Sequence, residues 1–157
     1  TTQDKYFHKT DAACPRCETL DADLLHILWY CPRIQRYWLE ITTQLSHCTN
    51  RQITPTWELC ILGLLQRDRK HKATSRFIDL GLLLAKRLIT KKWKSPEPPT
   101  ATAWASSTVN WAQAESDALH AEDTKKLRKF PIAECWDAIL SDFKNSMDAG
   151  EPAATGT

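Results

Sequence analysis

Three cysteines and a histidine near the N-terminus are the side chains best placed to do chemistry: Cys14-Pro15-Arg16-Cys17, then His26 and Cys31. Two residues separate the first cysteine pair, and four separate His26 from Cys31. A tetrahedral zinc site takes four nitrogen or sulfur ligands at about 2.0–2.3 Å from the ion. The C-x2-C turn brings two thiolates together with little loop to close, and the x4 spacing of the second pair is also that of structural zinc sites. Four protein ligands leave no position open for a substrate. The spacing of Cys14, Cys17, His26 and Cys31 therefore predicts a structural zinc ion that folds the chain and catalyses nothing. Two other readings compete. A C-x-x-C pair can be a redox dithiol, but that motif belongs with a βαβ pattern, which is absent here. His26, set among Leu24, Leu25, Ile27, Leu28 and Trp29, can be a core histidine. Its ligand spacing between two cysteine positions favours the metal.

Such a knuckle needs a scaffold. With 157 residues the chain reads as one domain, or one domain with a tail. Apolar residues make up 42% and charged residues 25%, ordinary for a folded globular protein, and seven tryptophans supply bulk for a sizeable core. The chain begins without methionine and reads as a fragment of something longer. No apolar run approaches the ~18 residues of a membrane span and no signal peptide is present, so no membrane partner is expected. The remaining cysteines, Cys48, Cys60 and Cys135, are scattered rather than framework-like. They point to a reducing, intracellular compartment, cytoplasmic and nuclear.

The expected architecture is all-α: a lead-in over 1–13, the zinc knuckle and its following helix over 14–47, a helical domain with a basic central helix over 48–147, and a disordered tail over 148–157. Tyr6 and Phe7 of the lead-in are available to cover the knuckle. A short helix over Leu24–Tyr30 presents His26. Pro32 suits the first turn of the next helix, where Ile34, Trp38, Ile41 and Leu45 form an amphipathic stripe ending near Ser46. His47 and Cys48, remote from the knuckle, are assigned capping or surface roles. One or two helical turns follow over Trp57–Leu62, closed by Gly63.

The central helix starts near Thr74 or Ser75 and stops by Lys94, because Pro96 forbids its continuation. Phe77, Ile78, Leu82, Leu84, Ala85, Leu88 and Ile89 cover its apolar face, with Arg76, Arg87, Lys91 and Lys94 in a stripe opposite. After a proline-rich connection, a loosely periodic helix spans about Thr102–Ala121, and Lys125–Lys129 is a second basic cluster. Pro131 opens a last helix with Ile132, Cys135, Trp136, Ile139, Leu140 and Phe143 facing the core.

The net charge of +2 hides its distribution. Over 67–94 ten lysines and arginines stand against two aspartates, a local +8, while 1–66 carries −1 and 95–157 carries −5. Cations near a helix C-terminus suit the helix dipole. That does not account for the basic loop before the helix or the scarcity of acids. The cluster points to nucleic acid, contacted by Arg67, Arg69, Lys70, Lys72, Arg76, Arg87, Lys91 and Lys94. Trp93, between Lys92 and Lys94, is a candidate for stacking on unpaired bases.

Ala13-Cys14-Pro15-Arg16-Cys17, then Ala22-Asp23-Leu24-Leu25-His26-Ile27-Leu28-Trp29-Tyr30-Cys31-Pro32, resembles the Cys-rich carboxy-terminal segment of LINE-type (non-LTR) retrotransposon polyproteins. Those polyproteins carry an endonuclease and a reverse transcriptase upstream. The likeness continues through Cys60-Ile61-Leu62-Gly63, Leu84-Ala85-Lys86-Arg87-Leu88-Ile89, Trp93-Lys94-Ser95-Pro96-Glu97-Pro98-Pro99-Thr100 and Trp104, and weakly to Phe130 and Trp136. It spans roughly positions 6 to 140 in the family's order, and its specificity lies in the combination. The resemblance implies a zinc-binding, nucleic-acid-associated accessory domain that holds template RNA, or DNA, beside the upstream reverse transcriptase and endonuclease domains. Polymerisation and cutting are not implied.

Nothing in the chain suggests an enzyme. There is no phosphate-cradling glycine loop and no aspartate cluster of the kind that holds catalytic metal ions. His8, His47, His71 and His120 are read as surface residues. A protein-docking module of the polyprotein and a decayed, inactive element fragment are the rival expectations.

Overall fold

The computed structural model describes residues 13–65, 70–129 and 131–155, the stretch 150–155 as backbone only. Among these residues the protein is all-α, with no strand. The knuckle leads into a wide helical turn, His26–Tyr30. Then follow α1 (Pro32–Thr49), the short α2 (Trp57–Cys60), α3 (Lys72–Lys91), α4 (Ala101–Lys126) and α5 (Ala133–Thr155). The four long helices pack on one another, α5 against α1, α3 and α4 in turn. The expected lead-in contacts of Tyr6 and Phe7, and the weak likeness at Phe130, lie outside the described residues.

Proline at the start of α1 sits where its missing N–H costs nothing. The stripe Ile34, Trp38, Ile41 and Leu45 is buried as its periodicity requires, joined by Tyr37 and Thr42. The helix runs three residues past Ser46, because Asn50 adopts the left-handed conformation (φ 54°) and its N–H closes on the Ser46 carbonyl. That extra turn turns Cys48 inward. It is buried rather than at the surface, and burial pushes its thiol up to about 12. Thr56 caps α2 by accepting from the Leu59 N–H at 3.2 Å, and Gly63 (φ 68°) ends the segment.

Helix α3 begins at Lys72, earlier than Thr74 or Ser75, and ends at Lys91, so Lys92–Lys94 form a turn after it. α4 is longer than its pattern suggests at both ends, capped by the Thr100 hydroxyl and closed by Leu127 in the left-handed region (φ 49°). Its buried face sets Ala105, Thr108, Ala112 and Ser116, small residues that allow close approach, between Trp104 and Leu119. The start of α5 is capped from outside: one Asp123 carboxylate oxygen accepts from the N–H groups of both Ile132 and Ala133 at 2.8 Å. Cys135 is exposed, a correction to the expected core stripe, which is held by Ile132, Trp136, Ile139, Leu140 and Phe143. The helix also continues beyond Asp148, where a tail is expected, although Gly150 and Pro152 are poor helix formers.

Trp38, Trp104 and Trp136 anchor the bundle. Each indole N–H donates to a backbone carbonyl of another element: Leu28 at 2.9 Å, Gly81 at 2.8 Å and Ala112 at 2.9 Å. Burying an indole without such a partner would forfeit a hydrogen bond that water had supplied. Phe143 lies edge-on to Phe77 and Trp104, with centroids 5.7 and 5.4 Å away. Gly81 is the tight point between α1 and α3. A Cβ there would stand 2.8 Å from a methyl carbon of the buried Leu45.

Candidate metal centre

The C-x2-C turn folds back on itself. The Cys14 N–H donates to the Thr19 carbonyl and the Glu18 N–H to the Cys14 carbonyl, both at 2.9 Å. Closing it this tightly puts Glu18 (φ 62°) and Asp21 (φ 57°) in the left-handed region, which a side chain disfavours. The Asp23 carboxylate accepts from the His26 N–H at 2.8 Å and starts the next turn. There the Cys31 N–H reaches back five residues to the His26 carbonyl at 2.8 Å, which brings Cys31 alongside His26.

The four expected ligands converge. The ligand atoms of Cys14, Cys17, His26 and Cys31 all lie within 4.8 Å of one another, close enough to hold a metal ion, and none of the cysteines forms a disulfide. Cys14 and Cys31 sulfurs are 3.8 Å apart, and Cys17 Sγ is 3.3 Å from His26 Nε2. Cys14 and Cys31 are buried, and Cys17 and His26 partly so. Burial raises the Cys31 thiol to about 11. At Cys17 burial also acts upward, but hydrogen bonds from Thr19, His26 and Cys14 outweigh it and hold the thiol at about 6.

Arg16, inside the turn, is a buried tie that spacing alone does not reveal. It is only 5% exposed. Nη2 donates to the Lys92 carbonyl at 2.8 Å and Nη1 to the Ile27 carbonyl at 3.4 Å, so the knuckle is fastened to the end of α3. Burial lowers its pKa, while the sulfurs of Cys14 and Cys31 act in the opposite direction. Arg33 adds a second tie, donating to the Arg16 carbonyl at 3.3 Å and the Pro96 carbonyl at 3.1 Å.

The expected basic face divides. Arg67 and Arg69 lie outside the described residues. Lys70 and Lys72 stand at the start of α3, about 30 Å from its other end at ~1.5 Å per residue. Arg76 is neutralised by Glu115. Arg87, Lys91 and Lys94 remain, with Lys92 beside them, exposed at the C-terminal end of α3 and in the turn after it. Arg87 lies over the Trp111 ring at 6.0 Å and Lys94 over the Trp93 ring at 5.0 Å; both indoles are about half exposed (51% and 46%). The second basic cluster is locally offset: Lys126 and Arg128 pair with Glu122, and Arg128 also with Asp123. His120 is exposed, as expected of a surface residue, and also bridges α4 and α5, its Nε2 2.6 Å from Asp137.

Beside Arg87 lies a groove of about 450 Å³ lined by Leu28, Leu80, Leu83, Leu84 and Trp111. Its polar neighbours are already engaged, Lys86 with the Ile61 carbonyl and Thr90 with the Arg87 carbonyl. Among the described residues, no helix is long and apolar enough to cross a membrane. Comparison with protein-family models, with curated proteins and with solved structures finds no match for this chain.

Proposed function

We propose that Cys14, Cys17, His26 and Cys31 hold one structural zinc ion, and that the domain is a non-catalytic nucleic-acid-binding module. A tetrahedron with metal–sulfur bonds of ~2.3 Å has edges of about 3.8 Å. The Cys14–Cys31 separation of 3.8 Å has that length. Three thiolates and an imidazole are a donor set that zinc favours, and their number closes the coordination sphere. The bound ion would neutralise thiolate charge and pin the left-handed turns at Glu18 and Asp21.

The observation that carries the nucleic-acid reading is the pairing of exposed cations with exposed indoles, Arg87 with Trp111 and Lys94 with Trp93. Phosphates would be met by Arg87, Lys91, Lys92 and Lys94, and unpaired bases would stack on Trp93 and Trp111. Arg76, spent on Glu115, contributes little. With the LINE-type resemblance this favours single-stranded template RNA, held without strong sequence preference beside reverse transcriptase and endonuclease domains of the same polyprotein, in the reducing cytoplasm and nucleus. Labelled single-stranded RNA titrated with the zinc-loaded protein at two salt concentrations tests it. Expected are saturable binding, a steep loss with salt, and a marked loss in a Trp93→Ala, Trp111→Ala double variant. Absence of binding at low salt would refute it.

The leucine-lined groove favours a second reading, docking of an apolar anchor from the upstream protein. Substituting Leu83→Ala, which adds no charge beside Arg87, would then weaken association with those domains.

A further inference from the structure

A guanidinium is rarely buried unless it is paired. Arg16 is 5% exposed, its Nε is buried with no hydrogen-bond partner, and no carboxylate among the described residues forms an ion pair with it. Its two hydrogen bonds go to neutral carbonyls, Lys92 and Ile27. These satisfy N–H groups without compensating the charge. Among the described residues, the anionic group in prospect is the metal cluster on either side of it. Three thiolates, a neutral imidazole and a divalent ion sum to one negative charge. A buried anion and a buried cation are each costly alone and compensate one another together.

We infer that Arg16 is the counter-ion of the metal–thiolate cluster and the strap through which metal loading fixes the end of α3. The strap has a definite target. The Lys92 carbonyl, a helix-end acceptor without an intrahelical partner, also accepts from the Ser95 N–H at 3.0 Å and so closes the turn that carries Trp93 and Lys94. Arg16 binds this same oxygen. Metal on one side and the cation-bearing turn on the other are then joined by a single side chain. The inference rests on the zinc reading for its anion, and deepens the nucleic-acid reading by making that face depend on metal.

The metal-bound state shows the loss in Arg16→Gln. With metal bound, the variant leaves the buried cluster without its counter-charge, and the protein should melt below wild type. With metal stripped, the knuckle opens and Arg16 returns to water, so variant and wild type should melt together. Half the metal should be lost at about tenfold less chelator, as for outer-sphere partners of metal ligands generally. An unchanged chelator midpoint, or metal lost from Arg16→Lys as readily as from Arg16→Gln, would overturn the counter-ion. Arg16→Lys separates the strap: it keeps the charge but loses the planar fork. It should retain metal nearly as wild type while hydrogen exchange at the Ser95 amide accelerates as in Arg16→Gln. Wild-type protection of Ser95 in both variants would overturn the strap. If the wild-type protein binds no RNA, the nucleic-acid reading falls, while the metal and exchange measurements still decide the role of Arg16.

Discussion

None of the five residues of the knuckle turn, His26–Tyr30, is buried. At the centre of the bundle, Trp38, Trp104, Trp136, Phe77 and Phe143 are almost wholly buried and lie against one another or against helix backbone. The first region leaves Ile27, Leu28 and Trp29 only partly buried and Tyr30 exposed, and the residues before it include two in disfavoured backbone conformations, Glu18 and Asp21. The second buries large side chains worth roughly 1.5–3 kcal/mol each. On the proposed metal reading one chain uses two stabilising devices, a ligand cage beside the bundle and close packing within it. The boundary falls at Cys31, which is both a candidate ligand and the residue on which the first turn of α1 closes. α1 itself belongs to the bundle, since Ile34, Trp38, Ile41 and Leu45 are fully buried in it.

The sharpest way to test that division is to remove the metal. Chelation, or Cys31→Ser, should abolish the knuckle's share of stability, on the order of 10 kcal/mol for structural zinc in small fingers. Hydrogen exchange should rise across 13–31 and remain slow in α3, α4 and α5. Uniform exchange before and after would mean that the metal is not structural. Next in size is Phe143→Ala, which deletes the ring between Phe77 and Trp104 and should cost about 3–5 kcal/mol by urea unfolding. Zinc content should stay at one per chain; a parallel loss of metal would break the separation of the two regions.

A smaller effect, on binding rather than stability, is expected of Arg87→Gln, Lys91→Gln and Lys94→Gln combined. Losing three phosphate contacts should make the salt slope shallower by about 2 units at ~0.7 per contact on a single strand. The melting temperature should not change, because these side chains lie off the apolar face. Wild-type affinity and slope would leave this end of α3 an ordinary solvated surface.

The smallest effect concerns the tie between α4 and α5. The hydrogen bond to Asp137 raises the His120 pKa, and Asp117 and Asp123 reinforce it. The Ser116 hydroxyl, then His120 and Lys144, lower the Asp137 pKa. The histidine's contribution is full below its unfolded pKa and is lost as pH rises through its folded value. That of the aspartate is full above its unfolded pKa and is lost as pH falls through its folded value. The tie is therefore strongest between the two ranges, near pH 5. Thermal melts should show His120→Gln below wild type at pH 5 and equal to it at pH 8; a constant difference would remove the charge from the account.

The knuckle and the core helices were legible because ligand spacing and 3.6-residue periodicity are local properties of a chain. What escaped was set by neighbours. α4 shows no clear apolar stripe, since between Trp104 and Leu119 the face it buries is Ala105, Thr108, Ala112 and Ser116, small residues that read weakly in hydropathy. Trp111, seven residues after the buried Trp104, reads as its partner yet lies half exposed beside Arg87. Arg76 looked like part of a phosphate-binding stripe because Glu115, on another helix, is invisible to a helical projection. Arg16 gives no local sign of its role, because its partner stands 76 positions away.

The contact at Gly81 has a bearing on how this sequence can vary. Leu45 occupies the space that a side chain at 81 would need, and the Trp104 indole holds the Gly81 carbonyl in place. Neither position can then drift alone. An alanine at 81 requires a shorter side chain at 45, and a valine at 45 leaves room that an alanine at 81 would fill. Chains descended from a common ancestor with this one should show the two positions changing together, with the total volume kept nearly constant, long after the exposed cations have been reshuffled.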